Sequence, residues 1–332
     1  MNLKYKSLVT STPFRISLGG GGTDLPFYSK VFGGDLLSAS INHFITISAS
    51  ERLTDNDVLV QTTSVDYKKL VREIDHDLIR EALKYFKFKN KIQVATYSTI
   101  PSHTGLGSSS SLMVGIVNCL SVMRGYHLSK NEIAKVAYKI ERNILKLKGG
   151  SQDQYISSFG GIKRIKVNNL GKTTVSNINL RPSIIKRLED SLIILFSGKK
   201  RSSDAVINSI TKDNQKIYEI FHEIKKIGNQ SLKPLRTGNI QKLGLLMDRH
   251  WEIKRQLSND VSDTLLDTKY KKLKNFGSPG GKIIGAGGGG FFMMCVPYER
   301  EKYIKKAKKN GFNILEWKFD FEGTRVIHPK IN

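Results

Sequence analysis

A short segment rich in glycine and serine stands directly in front of an apolar stretch near the middle of the chain. In the segment "PSHTGLGSSSSLMVG", residues 101–115, Gly105, Gly107 and four consecutive serines precede an apolar run that begins at Leu112. The order strand, glycine loop and helix collects free backbone N–H groups and the positive end of the helix dipole. The hydroxyls of Ser108, Ser109 and Ser110 add donors, so the segment predicts a phosphate site. A plain serine N-cap is the alternative.

Two other glycine-rich segments lie near the two ends of the chain. They read "PFRISLGGGGTD" over residues 13–24 and "GGKIIGAGGGGFF" over residues 280–292. The spacing of Gly285, Gly287 and Gly290 formally matches a dinucleotide-binding fingerprint, but that fingerprint requires a following helix, and "FFMMCV" has the pattern of a strand. No Gly-Lys-Ser/Thr string completes a Walker A loop either. We expect these glycines to allow tight turns and close backbone approach.

Two carboxylates have positions from which they could serve in catalysis or metal binding. Ser129 and Glu132 have the spacing of a capping box, which predicts a helix on which Glu141 borders an apolar stripe. Asp153 follows in the turn-rich string "GGSQDQY". From the residues alone, Glu141 is either a solvated glutamate at the edge of the stripe or a functional ligand. Asp153 is likewise either a turn aspartate or a catalytic one.

The elements that must position these residues are predicted to form two α+β domains, residues 1–180 and 181–332. β-Branched and alternating patterns predict strands over residues 7–18 and 36–49 and at "KIQVATYS" from Lys91. After Arg181-Pro182, a short strand "SLIILFS" precedes a mostly helical stretch that extends to about Asn275. The strings "KIIG", "FFMMCV" and "NILEWKF" predict strands of a second sheet.

Composition and charge narrow the class of protein. The chain has 332 residues, a net charge of +25 and dispersed lysines, with no finger, basic-zipper or RNA-recognition signature, so we predict no nucleic-acid partner. Two separate cysteines in apolar surroundings, and the lack of a signal peptide or an apolar span, predict a reduced cytoplasmic protein without membrane contact. A basic protein attracts anions in general, including nucleotides and sugar phosphates.

The three glycine-rich segments, in their order and spacing, resemble the three motifs of the galactokinase, homoserine kinase, mevalonate kinase and phosphomevalonate kinase (GHMP kinase) superfamily. The string Gly-Leu-Gly-Ser-Ser after a proline is the most specific of the three. The wider strings "GGGGTDLPFY", "KIERNILKLKGGSQDQYISSFGG" and "HWEIKRQLS" are similar to bacterial kinases of D-glycero-D-manno-heptose 7-phosphate. The resemblance implies a ribosomal-protein-like N-terminal domain and a ferredoxin-like C-terminal domain, with ATP between them.

The resemblance also implies roles for individual residues. Asp153 would accept the proton of the acceptor hydroxyl or orient that hydroxyl, and Arg15 would hold Asp153 ionised. Magnesium would be bound by Ser109 and Glu141. Thr23 and Asp24 match the Thr-Asp pair that binds sugar hydroxyls in galactokinases. The third glycine segment would pack against the nucleotide loop, and ATP would be bound by Pro101, Gly105, Leu106, Gly107, Ser108, Ser109, Ser110, Ser111, Gly287 and Gly288.

The expected activity is ATP- and magnesium-dependent phosphorylation of the anomeric hydroxyl of a heptose 7-phosphate, for synthesis of nucleotide-activated heptose and surface polysaccharide. A substrate phosphate requires cations, and the candidates are Arg201, Lys254 and Arg255; a solvated basic face is the alternative. A kinase of a neutral sugar such as fucose or galactose is the nearest rival function. A non-catalytic nucleic-acid-binding protein is a rival of a different class. A homodimer is compatible with the sequence.

Overall fold

The computed structural model describes residues 3–210 and 215–327, which form two β-sheets and the helices around them. The strands β1 to β12 are Ser7–Gly19, Gly34–Glu51, Val58–Gln61, Val65–Lys68, Ile92–Ser98, Ile162–Val167, Thr173–Asn177, Leu192–Phe196, Gly280–Ile283, Phe291–Cys295, Ile314–Leu315 and Arg325–Ile327. The α-helices α1 to α11 are Pro26–Phe32, Asp77–Tyr85, Ser108–Met123, Lys130–Tyr138, Gln152–Phe159, Pro182–Ser191, Ser203–Ser209, Gln215–Thr237, Ile240–Lys254, Thr264–Asn275 and Arg300–Lys309. A 3-10 turn lies at Val71–Glu73, and a π-helix at Lys139–Ile144 continues α4.

The first sheet is built around the two long strands β1 and β2, where the sequence predicts strands. Its order is β12-β1-β2-β5-β3-β4, and β6 joins β2 to β7. All pairs in this sheet are antiparallel except β3 with β5. The pairing of β1 with β2 shifts register between Pro13 and Phe14, next to a residue that has no N–H group for the ladder. Such irregularities redirect the side chains that follow, here Arg15.

The second sheet has the order β11-β8-β10-β9 and is antiparallel throughout, as the strand patterns after Pro182 predict. The predicted strand "NILEWKF" is short, because only Ile314 and Leu315 pair with β8. The last strand, β12, returns to the first sheet and pairs with β1. The division into residues 1–180 and 181–332 therefore stays a prediction, with this return of the chain as a qualification.

Helix α3 is the buried helix that the apolar run after the serines predicts. Its residues pack on β1 and β2, and Met113, Val114 and Val117 are fully buried. Helices α8 and α9 lie between the sheets: α8 packs on β1 and β2, and α9 on β9. Across the described residues, no helix combines the length and the apolar character needed to cross a membrane.

Two local expectations around the predicted carboxylates are wrong. The string around Asp153 is a turn only as far as Ser151, since helix α5 begins at Gln152. The apolar stripe predicted from Ile133 to Ile144 is interrupted, because Ile133, Ala137 and Ile140 are buried but Ile144 is 42% exposed. The π-helix at Lys139–Ile144 widens the turn there and rotates the residues that follow relative to an α-helix.

Candidate active site

Arg15 and Asp153 form a bidentate ion pair at the centre of the site. Arg15 Nε donates to Asp153 Oδ1 at 2.7 Å, and Arg15 Nη2 donates to Oδ2 at 2.9 Å. Both side chains are largely withdrawn from solvent, with exposed fractions of 8% and 24%. Arg15 also donates through Nη1 to the carbonyl of Gly105, which ties the pair to the serine loop, residues 101–111. The structure thus brings together the two residues predicted to carry catalysis.

The last four residues of the serine loop, from Ser108, form the first turn of α3, which has no side-chain cap. Gly105 and Gly107 have φ of 83° and 79°, a left-handed conformation that favours glycine. Helix α3 begins at Ser108 without a side-chain cap, and the first amide bonded within its N-terminal turn is Ser111 N–H, which donates to Gly107 O at 2.9 Å. The preceding N–H groups and the helix dipole are the elements of an anion site. The plain N-cap alternative therefore does not describe this segment.

The other residues predicted to bind the nucleotide differ in what their side chains do. Pro101 is exposed, and Leu106 is buried. Ser111 is fully buried, and its hydroxyl donates to Pro13 O at 3.0 Å, so it supports the loop from inside. Gly287 and Gly288 face Val261, Asp260 and Arg201.

The third glycine segment packs against the serine loop, as predicted. A Cβ added at Gly105 would lie 2.6 Å from the carbonyl oxygen of Ile284, and one added at Gly285 would lie 2.7 Å from the carbonyl oxygen of Gly105. A Cβ at Gly290 would collide with the carbonyl of Thr104. Approach this close requires glycine on both sides, which explains the two segments together.

Glu141 is a buried carboxylate and not a solvated edge residue. It is 1% exposed and accepts hydrogen bonds from the hydroxyls of Ser110 at 3.0 Å and Ser109 at 3.4 Å and from the side-chain amide of Gln154. Burial raises the pKa of Glu141, and the nearby Arg142 opposes that shift. A hydroxyl and a carboxylate are hard oxygen donors of the kind that magnesium prefers. Ser109 and Glu141 therefore fit the predicted metal site, with phosphate oxygens and waters as further ligands.

Thr23 and Asp24 have different environments although they are adjacent. The Thr23 hydroxyl donates to Gly20 O at 2.8 Å and accepts from the Asp35 N–H at 3.1 Å, so these backbone groups engage it and it stabilises the first glycine segment. Asp24 lines the cleft and accepts the Gln152 N–H at 2.8 Å. Burial raises the pKa of Asp24, and the Gln152 N–H lowers it. The sugar-binding role of the Thr-Asp pair therefore stays a prediction, with Asp24 lining the cleft and the Thr23 side chain buried.

A cleft lies on one side of the Arg15–Asp153 pair and is the candidate acceptor site, called the acceptor cleft below. Its walls comprise Arg15, Ser17, Gly21, Gly22, Asp24, Leu25, Arg142, Lys148, Gly149, Gly150, Gln152, Asp153, Ser203, Ile207, Ile210, Phe221, Lys254, Leu257, Gly285 and Ala286. Of the three predicted phosphate-binding cations, only Lys254 lines it. Arg255 pairs with Asp267 at 3.0 Å, and Arg201 donates to the carbonyls of Gly287 and Ser202. These bonds engage the guanidinium groups of Arg201 and Arg255, and the substrate contact predicted for both residues stays a prediction.

Three buried basic side chains, Lys254, Lys282 and His250, lie at or near this cleft. Lys254 is 8% exposed, and its Nζ donates to Gly285 O at 2.6 Å. Burial lowers the pKa of Lys254, the charges of Arg201 and Arg15 act in the same direction, and Asp24 opposes them. Together these effects bring the pKa to about 7. Lys282 and His250 are also buried, and burial together with the charge of Lys254 lowers the pKa of each. Burial therefore favours the neutral forms of these groups, and a bound anion would favour their charged forms.

Replacing Lys254 by methionine should stabilise the ligand-free protein most at low pH. The pKa of Lys254 lies near 7 in the folded state, against the ordinary value of 10.5, so the unfolded chain binds more protons between these pH values. Wild-type stability therefore rises through that window, and the charged lysine costs roughly 4 to 5 kcal/mol below it. Thermal unfolding from pH 6 to 10 should show an advantage for Lys254→Met that shrinks as the pH rises. A constant difference would contradict the buried titration.

The sequence did not predict a role for several residues that lie at the site. Arg142 and Lys148 line the cleft, Gln152 and Gln154 fix Asp24 and Glu141, and Lys282 lies beneath it. Their positions depend on the π-helix and on the start of α5 at Gln152, which no periodicity in the sequence indicates. The juxtaposition of two glutamines with Asp153 in "SQDQ" was the available signal.

Comparison with known proteins agrees with this arrangement. A family model described as the GHMP kinases N terminal domain matches residues 77–161. A D-glycero-alpha-D-manno-heptose 7-phosphate kinase from Campylobacter jejuni is 28% identical over 96% of this chain and 98% of its own length. A mevalonate kinase from Methanocaldococcus jannaschii is 30% identical, with 71% of this chain and 73% of the relative aligned.

A solved structure agrees with the fold. The crystal structure of a D-glycero-D-manno-heptose 1-phosphate kinase from Bacteroides thetaiotaomicron matches with a TM-score of 0.80 at 23% identity, over 97% of this chain and 99% of that chain. The predicted α+β fold with its two-domain kinase architecture is thereby confirmed.

Proposed function

Because the chain belongs to the GHMP kinase family, we propose that it is an ATP-dependent kinase of a sugar phosphate. The substrate that fits best is D-glycero-D-manno-heptose 7-phosphate, phosphorylated at its anomeric hydroxyl. The product would serve the synthesis of nucleotide-activated heptose. The similarity to the Campylobacter heptose 7-phosphate kinase over nearly the whole of both chains supports this substrate class.

The observation that carries the proposal is the position of the Arg15–Asp153 pair. Arg15 contacts the carbonyl of Gly105 in the serine loop on one side, and both residues line the acceptor cleft on the other. An acceptor hydroxyl in the cleft can therefore approach a phosphoryl group held at the N-terminus of α3. The carboxylate stands where a proton must be removed.

In the proposed reaction, Asp153 accepts the proton of the acceptor hydroxyl while that oxygen bonds to the γ-phosphorus of ATP. The bond between that phosphorus and the bridging oxygen breaks, and ADP leaves. Both oxygens of Asp153 already accept from Arg15, and each retains a lone pair for the incoming proton. Arg15 orients the Asp153 carboxylate through its two hydrogen bonds and offsets charge on the transferred group. Magnesium at Ser109 and Glu141 would neutralise charge on the phosphates.

The charges of the cleft favour an acceptor with both hydroxyls and an anionic group. Asp24 can accept hydrogen bonds from sugar hydroxyls beside the one from Gln152. Lys254, Arg142 and Lys148 line the same cleft and attract a phosphate. A neutral sugar would bind to the Asp24 carboxylate and would offer these cations no anionic partner.

An acceptor panel tests the proposal. ADP release from ATP and magnesium should be fastest with heptose 7-phosphate, and slower with unphosphorylated heptose, fucose and galactose. Preference for a neutral sugar would overturn the substrate while leaving the kinase. Salt-sensitive binding to random DNA without ATP turnover would favour the nucleic-acid-binding alternative instead.

A further inference from the structure

Arg142 and Lys148 line the acceptor cleft, where they and the adjoining Gly149 and Gly150 form one stretch of its wall. They flank the backbone of Gly149 and Gly150 and lie close in sequence to Asp153, which lines the same cleft. Residues of the serine loop do not line this cleft within the part of the chain that the structure describes. An anion bound at this wall therefore has no lining residue of the predicted nucleotide loop beside it.

The π-helix gives Arg142 its direction. Glu141 and Arg142 are consecutive, yet Glu141 is buried toward Ser110 and Gln154 while Arg142 lines the cleft. Arg142 Nε lies 3.4 Å from the carbonyl oxygen of Gly150, a weak hydrogen bond that orients the guanidinium. Gly149 has φ of 141°, and a Cβ there would lie 2.6 Å from Arg142 Nη2. The absence of a side chain on Gly149 thus makes room for the guanidinium.

Among the described residues, neither of these two cations has a carboxylate partner of the kind that engages Arg255. Lys254 donates to Gly285 O, and Arg255 is paired with Asp267. Over residues 3–210 and 215–327, neither Arg142 nor Lys148 lies within ion-pair distance of a carboxylate. Two unpaired cations on one cleft wall form a site for an anion.

We propose that Arg142 and Lys148 bind the phosphate group that the acceptor already carries. This inference rests on the proposed kinase function and assigns a subsite within it. The planar fork of Arg142 can bind two phosphate oxygens at once, and Lys148 adds a mobile point charge from the exposed side. The acceptor would then span the cleft, with its reacting hydroxyl at Asp153 and its phosphate at this wall.

A simpler role for Arg142 is to compensate the charges of Asp24 and Glu141, which it also influences. Lys148 separates the two roles, because the groups that act most strongly on the pKa of those carboxylates include Arg142 but not Lys148. Lys146 supplies a matched control, since it is an exposed lysine two residues away that does not line the cleft.

The test compares Lys148→Gln, Arg142→Gln and Lys146→Gln with one sugar supplied with and without its phosphate. Lys148→Gln should raise the KM for the phosphorylated sugar roughly ten- to a hundred-fold, the usual effect of one charge-assisted contact. The KM for ATP and the kinetics with the unphosphorylated sugar should stay unchanged, and Lys146→Gln should resemble wild type. Arg142→Gln should act in the same direction as Lys148→Gln.

Other results of this experiment would contradict either the phosphate subsite or the proposed kinase function. If wild type gains nothing from the sugar's phosphate, or if Lys148→Gln keeps the full gain, this subsite is wrong and the kinase activity stands. If no acceptor is phosphorylated, the proposed function fails, and calorimetry with inorganic phosphate decides the subsite. Binding that Lys148→Gln weakens at least several-fold, but Lys146→Gln does not, supports the subsite; equal binding by all three proteins overturns it.

Discussion

Replacing Asp153 by asparagine should lower the turnover number by roughly two to four orders of magnitude, the usual range for loss of a general base. Asparagine keeps the shape of the side chain but cannot accept the proton of the acceptor hydroxyl. ATP and sugar affinities should remain close to wild type, because the lost interaction acts mainly in the transition state. Steady-state kinetics with calorimetric ATP binding measures both quantities on the same protein.

Loss of the ion pair must be separated from loss of the base. Asp35 and Arg164 form a second bidentate pair, with Arg164 Nε and Nη2 at 2.8 Å and 2.6 Å from the two carboxylate oxygens of Asp35. This pair does not involve the residues of the acceptor cleft, so Asp35→Asn is the matched control and should keep normal turnover. Arg15→Ala should also slow turnover, and the double variant should lose less than the product of the two single effects. Turnover of Asp153→Asn within a factor of about ten of wild type would reduce Asp153 to a positioning residue.

Glu141→Gln should raise the magnesium concentration needed for the half-maximal rate, because one charged ligand is lost. It should also lower the maximal rate. At ordinary magnesium concentrations the rate should fall roughly ten- to a hundred-fold. The fold should tolerate the change. A glutamine oxygen can accept from Gln154, and its amide can donate to the Ser110 hydroxyl oxygen, so both contacts are kept although the bond with Ser110 reverses direction. Since burial already raises the pKa of Glu141, removing its charge should not lower stability.

Glu132→Gln provides the control for that experiment. Glu132 lies on the same helix and closes the capping box with Ser129 through its carboxylate, outside the cleft. Its variant should lose some stability and keep the magnesium dependence of wild type. Magnesium titrations that coincide for Glu141→Gln and wild type would rule out the ligand role of Glu141.

The regular elements were accessible from sequence because local signals specify them. The long strands β1 and β2, the buried helix α3 and the capping box at Ser129 all follow from periodicity, β-branched residues and cap chemistry. The contact between the second and third glycine segments was also predictable, since both resemble motifs of one family. The arrangement of Asp153 opposite Arg15 came from that resemblance and not from any local pattern.

The remainder depended on irregular backbone and on tertiary burial. The π-helix at Lys139–Ile144 directs Glu141 inward and Arg142 into the cleft, and a regular helical projection misplaces both. Arg255 looked equivalent to Lys254 in "HWEIKRQ", but adjacent helical residues point about 100° apart, and Arg255 meets Asp267 instead. The hydroxyl of Thr23 is engaged by backbone groups that only folding brings near.

The most direct test of the account is the identity of the phosphorylated product. Wild-type protein with ATP, magnesium and heptose 7-phosphate should yield a sugar that carries two phosphates, and ³¹P NMR should show the new phosphate coupled to the anomeric proton. The amount of this product should equal the amount of ADP formed. ADP with inorganic phosphate and no new sugar phosphate, or a new phosphate at a non-anomeric position, would contradict the account.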